Sequence, residues 1–487
     1  MGALARPPAW WAELTRQSRD ALGGLRVGVY GSGGAPYHHS ALLALWGCEP
    51  IPVRAEDIRA GLLGALDALV VPGGGFTAMR GLTDPLGCDG AETVRDWVGA
   101  GGLYLSSCAG SFLPAELGEA YWCAHEETRQ LHMVRIPLAN GADSAFAGLT
   151  SPGVGTLEVS VTDPAHWLAE GLPARFELVH YNGPLFVLGT PLPAANDARL
   201  DTPEGVIAVQ GATGAFTPSE AFMDAEALTE TLLGRCAAQG AFTGVTAAYG
   251  AGQVVLFGSH PEFGFDVLQL GWGRGVRLLA NALRFQAERR PARQSSHPPA
   301  ADVDPAKLRG HLGDAAASLS RSARAFGDLG AATPSAWLEP GQVPTFMGRA
   351  PSVLWLEATR QAAHAAEGAA ALAERLARDS ADLRPAARWV FEQPLGNQDV
   401  GFMGLCQLAG RVEAGLEQTR RRLKDTPHPL AHAYDGLQSH PFHLAVGSYL
   451  SAAGLCASAL LAAVTVAALA GRPDAVALEL LLASEGA

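Results

Sequence analysis

The sequence predicts an α/β fold, a mostly parallel sheet with helices on both faces, followed by an all-helical C-terminal bundle domain. Three observations carry this. Short, fully apolar runs rich in Val, Leu and Gly alternate with helical patterns up to about residue 290, as in sheets buried on both faces. Several of those runs end in glycines or other small residues, the mark of turns at strand ends. Beyond Leu308 the chain is Ala-rich and helical, with few strand-like runs.

Taken in order, "LRVGVYG" (Leu25 to Gly31) reads as a strand ending in glycine, "PYHHSALLALWG" as a helix and "CEPIPVRA" as a second strand. "LDALVVPGGG" (Leu66 to Gly75) is a third strand ending in a glycine turn. The amphipathic "GAETVRDWVGAG" leads into "GGLYLSSCAGSFLPA". Within it Leu103, Tyr104 and Leu105 form a buried strand, Ser106 and Ser107 close it, and Cys108 to Ser111 turn the chain. Residues 120 to 250 are richer in turns and β-like runs, such as "TLEVSVT", "FELVHYNGPLFVLG" and "GVIAVQG", and read as an antiparallel insertion or extension of the sheet. A last strand, Gln253 to Phe257, ends in Gly258-Ser259-His260-Pro261-Glu262.

With 487 residues the chain exceeds one ordinary domain. The expected division is an α/β domain over 1–288, a linker over 289–305 within the proline-rich "ERRPARQSSHPPAADVDPAK", and a helical bundle over 306–487. Helical spacing marks 306–327, 352–379, 399–424 and 441–470. Such a tail suits oligomerisation, a protein partner or cover for an active site.

Hydrophobic residues at 48% and charged residues at 17% fit well-filled cores. A formal net charge of −13 argues against nucleic-acid partners and anionic membranes. The seven cysteines include no CxxC pair, so neither a disulfide framework nor a zinc site is read, and a reducing cytoplasm is expected. Pro7, Pro8, Glu13 and Arg16 interrupt any apolar leader. His443 to Gly471 is long enough to span a bilayer, but its Ala, Gly, Ser and Thr content favours a buried bundle helix.

Three strand ends supply distinct chemical parts, and in parallel sheets ligands sit at the carboxyl ends of strands. Cys108 offers a thiolate nucleophile, His260 a proton shuttle near neutral pH, and Glu262 a carboxylate to orient the imidazole. In an extended strand end residues two apart point the same way, which brings Glu262 to His260. Backbone N–H groups at Gly73, Gly74 and Gly75, with Ala109, are placed to meet a developing oxyanion. The plain alternative is an inert core thiol, a surface turn at His-Pro-Glu and an ordinary glycine turn.

The order of "VVPGGG", "LSSCAGSFLPA", "HYNGPLF" and "VVLFGSHPEF" resembles the class I glutamine amidotransferase-like superfamily, and within it the family named for the N-terminal domain of biotin–protein ligases. The resemblance covers about residues 25–285. It implies a flavodoxin-like sheet, a Cys108–His260–Glu262 triad and an oxyanion hole near Gly74 and Ala109. Glutaminases of this superfamily carry Gln four residues after the nucleophile, whereas this chain has Phe112. An apolar ring offers none of an amide's donors and acceptors, so a standard glutaminase is not expected. No GRGRxxR-like segment accompanies these motifs, so biotin ligation is not expected either.

Tyr181 and Asn182 are candidates to line a substrate pocket, with a structural turn as the alternative. His38 and His39 follow a Gly-rich turn and face the cleft or simply open a helix. "GSGG" at 31–34 lacks the full GxGxxG spacing, and no cofactor is assigned. His428 with His432 and His440 with His443 have ligand-like spacing, but prolines interrupt both and no metal is assigned. The reading is a cysteine-nucleophile amidase or hydrolase acting on a small amide or peptide-like bond. Its alternative is a non-catalytic protein that keeps the pocket for a small ligand or as a scaffold.

Overall fold

The computed structural model describes residues 8–31, 36–73, 85–115, 131–136, 152–189, 197–213, 216–218, 232–264, 271–289, 303–331, 351–392, 402–425 and 447–473. Gly74, Gly75, the histidines at 428, 432, 440 and 443, and most of the expected linker lie outside them.

Among the described residues ten strands form one sheet: β1 Arg26–Tyr30, β2 Glu49–Val53, β3 Ala68–Val71, β4 Leu103–Ser107, β5 Gly153–Val161, β6 Arg175–Tyr181, β7 Glu204–Ala212, β8 Thr217–Pro218, β9 Phe242–Tyr249 and β10 Gly252–Phe257. Their order is β2-β1-β3-β4-β10-β9-β7-β5-β6, with β8 on β5. From β2 to β10 every pairing is parallel. This run has the strand order of flavodoxin-like sheets. Beyond β10 the sheet continues antiparallel through β9, β7, β5 and β6. The turn-rich middle of the sequence is therefore an extension of the sheet.

The helices of this part are α1 Ala9–Leu22, α2 Tyr37–Leu45, α3 Ala55–Arg59, α4 Gly87–Gly99, α5 Leu232–Ala238 and α6 Val276–Arg289. Fully apolar strands are buried on both faces because the pleat sends alternate side chains to opposite sides. Val27, Val29 and Leu105 enter one core, with α1, α2 and α6, while Tyr30, Tyr104 and Leu256 enter the other, against α3 and α4.

The C-terminal segment is helical, with α7 Pro305–Ala331, α8 Pro351–Arg378, α9 Ala387–Phe391, α10 Leu405–Asp425 and α11 Gly447–Leu469. Four of these fall on the segments the spacing marks. α7, α8, α10 and α11 pack on one another, and α11 also packs on α2. The apolar core runs without a break from the sheet's α2 face into these helices. All nine residues of α2 are consequently buried. Tyr37 Oη donates to the Met403 carbonyl at 3.1 Å and accepts from the Met403 N–H at 2.8 Å. Among the described residues no helix is long and apolar enough to cross a membrane. α11 is apolar because it is interior to the bundle, with Ala459, Leu460, Ala463 and Val466 fully enclosed.

Candidate active site

Register decides where the chemistry gathers. Val71 of β3 pairs with Ser106 of β4, and Phe257 of β10 pairs with Ser107. The three strands therefore end at one level, and Gly73, Cys108 and Gly258 to His260 emerge together at the carboxyl edge of the sheet.

Cys108 opens a single 3-10 turn, Cys108–Ser111, directly after β4. Its φ of 48° is in the left-handed region, which costs a non-glycine residue energy and is held only by its surroundings. Several bonds hold it. Ser106 and Ser111 hydroxyls meet at 2.9 Å, Ser111 Oγ donates to the Phe257 carbonyl at 2.7 Å, and Tyr104 Oη donates to the Gly110 carbonyl at 2.8 Å. The thiol donates to the Tyr181 carbonyl at 3.2 Å.

His260 lies beside Cys108, the two meeting at Gly73, whose missing Cβ would be 2.9 Å from His260 Cε1 and 3.2 Å from Cys108 Sγ. The His260 Nδ1 is 2.8 Å from Glu262 Oε1. The expectation of an extended strand end is corrected here. Phe263 N–H donates to the His260 carbonyl at 3.1 Å, closing a turn with Pro261 at the position proline favours. That turn, and not a pleat, folds Glu262 back onto the imidazole. Phe263 then stacks on the His260 ring, 4.3 Å between centroids and 2° from parallel.

Burial works against charge on both groups, and their neighbours overcome it. Enclosure by itself would lower the His260 pKa, but Cys108 and Glu262 push it up to about 10. Burial would raise Glu262, yet His39 and His260 hold its carboxyl well below the usual carboxylate range. His180, on β6, has no such partner among the described residues. Burial and the neighbouring His260 drive it down to about 3, so its ring is neutral. Its Nδ1 lies 3.1 Å from Ser259 Oγ.

Of the other sequence candidates, Gly73 packs directly on the pair. A Cβ at Gly73 would lie 2.5 Å from Cys108 Cβ and 2.9 Å from His260 Cε1. Ala109 is buried in the turn after Cys108. Tyr181 contributes its carbonyl to the thiol, and burial pushes its own hydroxyl upward in pKa. Asn182 holds a left-handed φ of 54° and donates its N–H to the Gly153 carbonyl at 3.0 Å. His38 is buried with its ring 4.6 Å from Phe263. Phe112 is buried in the core on the α3 and α4 side of the sheet.

Ser107 and Gly183 escape a functional reading of the sequence, and His39 is marked only jointly with His38 as facing the cleft. His39 Nε2 is 3.1 Å from Ser107 Oγ and 3.5 Å from Glu262 Oε1, and Ser107 Oγ donates to Glu262 Oε1 at 2.9 Å. Hydroxyls at the end of an otherwise apolar buried strand were the available signal for Ser107. At Gly183 any Cβ would strike the Gly258 carbonyl and crowd Cys108 Cα at 3.1 Å. Among the described residues no cluster of His, Cys, Asp and Glu is arranged to hold a metal ion.

No family model matches the chain. Among curated proteins it is similar to the pyridoxal 5'-phosphate synthase subunit PdxT of Geobacillus kaustophilus (strain HTA426), 30% identical over 158 residues, which is 32% of this chain and 78% of that protein. PdxT of Bacillus thuringiensis (strain Al Hakam) is 31% identical over 131 residues, 27% of this chain and 64% of that protein. A solved structure from Thermoplasma acidophilum, provisionally identified as one subunit of a GMP synthase, is 16% identical over 54% of this chain and 95% of its own, with a TM-score of 0.30. Relatedness over most of the length of PdxT, on a sheet of the same strand order as flavodoxin, establishes that this chain belongs to the class I glutamine amidotransferase-like superfamily.

Proposed function

We propose that Cys108 is the nucleophile of an amidase or acyl-transfer hydrolase that cleaves a small amide or peptide-like bond. The observation that carries this is the placement of His260, with Nδ1 2.8 Å from Glu262 Oε1, and with its Cε1 2.9 Å and the Cys108 sulfur 3.2 Å from where a Gly73 Cβ would stand. A left-handed cysteine on a strand-to-turn bend is read as a nucleophile elbow. Within the superfamily, the four motifs favour kinship with the biotin–protein ligase N-terminal family.

In this reading the thiol proton rests on His260 before attack, as its raised pKa requires, and the Cys108 thiolate adds to the amide carbon. The carbonyl oxygen becomes an oxyanion facing the Ala109 N–H and the glycine turn. His260 then returns the proton to the departing nitrogen, the C–N bond breaks, and a thioester remains. Water, deprotonated by the same imidazole, adds to the thioester and releases the acid and the free thiol. Glu262 keeps Nδ1 protonated, so Nε2 is the atom that shuttles. Phe112 lies at the position where glutaminases hold their substrate amide, so the acyl group is expected to differ from glutamine.

The test is a panel of primary amides, glutamine among them, scored for amine or ammonia release by wild type and Cys108→Ala. Turnover that disappears in the variant supports the reading. Alkylation of Cys108 by iodoacetamide gives a substrate-free measure. A rate no higher than that of the exposed Cys88, together with no turnover, sinks it in favour of a ligand-binding role.

A further inference from the structure

We infer that His39 is a positioning residue that fixes Glu262 through Ser107 and so holds the His260 imidazole toward Cys108. The inference rests on the catalytic reading above for its consequence, but not for its geometry.

Hydrogen accounting gives the direction of the network. A serine hydroxyl has one proton to donate. Ser107 gives it to Glu262 Oε1 at 2.9 Å, so its oxygen accepts from His39 Nε2, 3.1 Å away. His39 therefore carries its proton on Nε2, the atom that also lies 3.5 Å from Oε1. His260 Nδ1 approaches the same oxygen at 2.8 Å. Ser107 and His260 both donate to Oε1, while Oε2 is buried without a hydrogen-bond partner among the described residues. A carboxylate gripped at one oxygen by one imidazole is free to swing about its terminal bond. A second donor arriving from another element removes that freedom.

The second element is itself fixed. His39 lies on α2, between the sheet and α11, with every residue of the helix buried. Tyr37, two residues before His39, is tied in both directions to Met403. The described C-terminal helices thus reach the site by holding the helix that carries His39.

The experiment compares His39→Leu, which fills the space without a donor, with His39→Gln, which returns an N–H near the position of Nε2. Two readouts are taken on the full chain. The low-field resonance of the His260 Nδ1 proton reports its bond to Glu262 whatever the protein catalyses. The rate of Cys108 alkylation by iodoacetamide reports the consequence. The inference expects the resonance to shift or broaden in His39→Leu and to return in His39→Gln. It expects alkylation to fall about tenfold in the first and to stay within about threefold of wild type in the second, the scale of one coupled buried hydrogen bond. In a Glu262→Gln background the two variants should alkylate alike. A His260 resonance unchanged in His39→Leu overturns the inference. So does an equal loss in His39→Leu and His39→Gln with both folded, which is the pattern of packing alone. If wild-type Cys108 reacts no faster than Cys88, the catalytic reading falls, and the His260 resonance still decides whether His39 positions Glu262.

Discussion

Gly73 and Cys108 face one another across the ends of neighbouring parallel strands so closely that a methyl group on Gly73 would lie 2.5 Å from Cys108 Cβ and 3.2 Å from its sulfur. The glycine is required by contact, not by backbone conformation. Cys108 has little room to yield, since its own φ of 48° is already held by the bonds of the turn behind it. The same absent Cβ would press on His260 Cε1 at 2.9 Å. One hydrogen in place of a methyl is therefore what lets thiol and imidazole share this edge of the sheet.

Gly73→Ala should consequently impair the site more than the fold. Overpacking of this kind costs about 1–3 kcal/mol, and here the strain falls on the thiol and the ring. Cys108 alkylation is expected to drop about tenfold or more, with secondary structure by circular dichroism retained. An alanine variant with wild-type alkylation would mean that the strand ends open more readily than their register implies.

Glu262→Gln tests the electrostatics of the pair. The His260 pKa stands near 10 because Cys108 and Glu262 outweigh the effect of burial. A folded pKa raised above the unfolded value stabilises fully below pH about 6.5, and that stabilisation is lost as pH climbs toward 10. Wild type should therefore lose, between those limits, the stabilisation that His260 gains from Glu262. With the carboxylate neutralised, burial pulls the pKa down and the difference between wild type and variant shrinks as pH rises. Urea midpoints at pH 7, 8 and 9 measure it.

His180 gives the opposite sign in a separate window. It is neutral in the fold, driven down to about 3 by burial first and His260 second, and it titrates near 6.5 when unfolded. Between these values the unfolded chain binds the extra proton, so stability falls as pH falls from about 6.5. His180→Asn should flatten that acid slope by about 1.4 kcal/mol per unit. Thermal melts at pH 6.5, 5.5 and 4.5 would show equal slopes in both proteins if His180 were not the group responsible.

The strands and their ends were legible because burial on both faces leaves uninterrupted apolar runs, and small residues mark where those runs stop. Cys108, His260 and Glu262 could be proposed because each closes such a run or directly follows one. His39 could not be singled out from His38. Their helix is buried all round, so its sequence has no polar face to say which side meets the site, and the covering helix α11 lies far along the chain. The way Glu262 meets His260 was also misjudged, since a proline after a strand permits a turn as well as an extended exit. Ser107 was visible only as a polar residue at a strand end, which a turn explains equally well.

Tyr37→Phe asks whether the C-terminal helices and the sheet act as one body. The hydroxyl both donates to the Met403 carbonyl and accepts from the Met403 N–H, and burial keeps it protonated by raising its pKa. Removing it strands two backbone groups in the interior, at a cost of about 1–3 kcal/mol. Because the apolar core is continuous between α2 and α11, that loss should lower a single cooperative melting transition instead of splitting it in two. Trp389, whose ring meets Phe402 edge-on at 4.6 Å and whose indole N–H donates to the Pro50 carbonyl at 3.2 Å, supplies a fluorescence probe at the same seam. Coincident transitions by Trp fluorescence and circular dichroism, both shifted downward, are the expected result. An early fluorescence change, followed by separate melting of the sheet, would show that the helices hold α2 less firmly than their shared core requires.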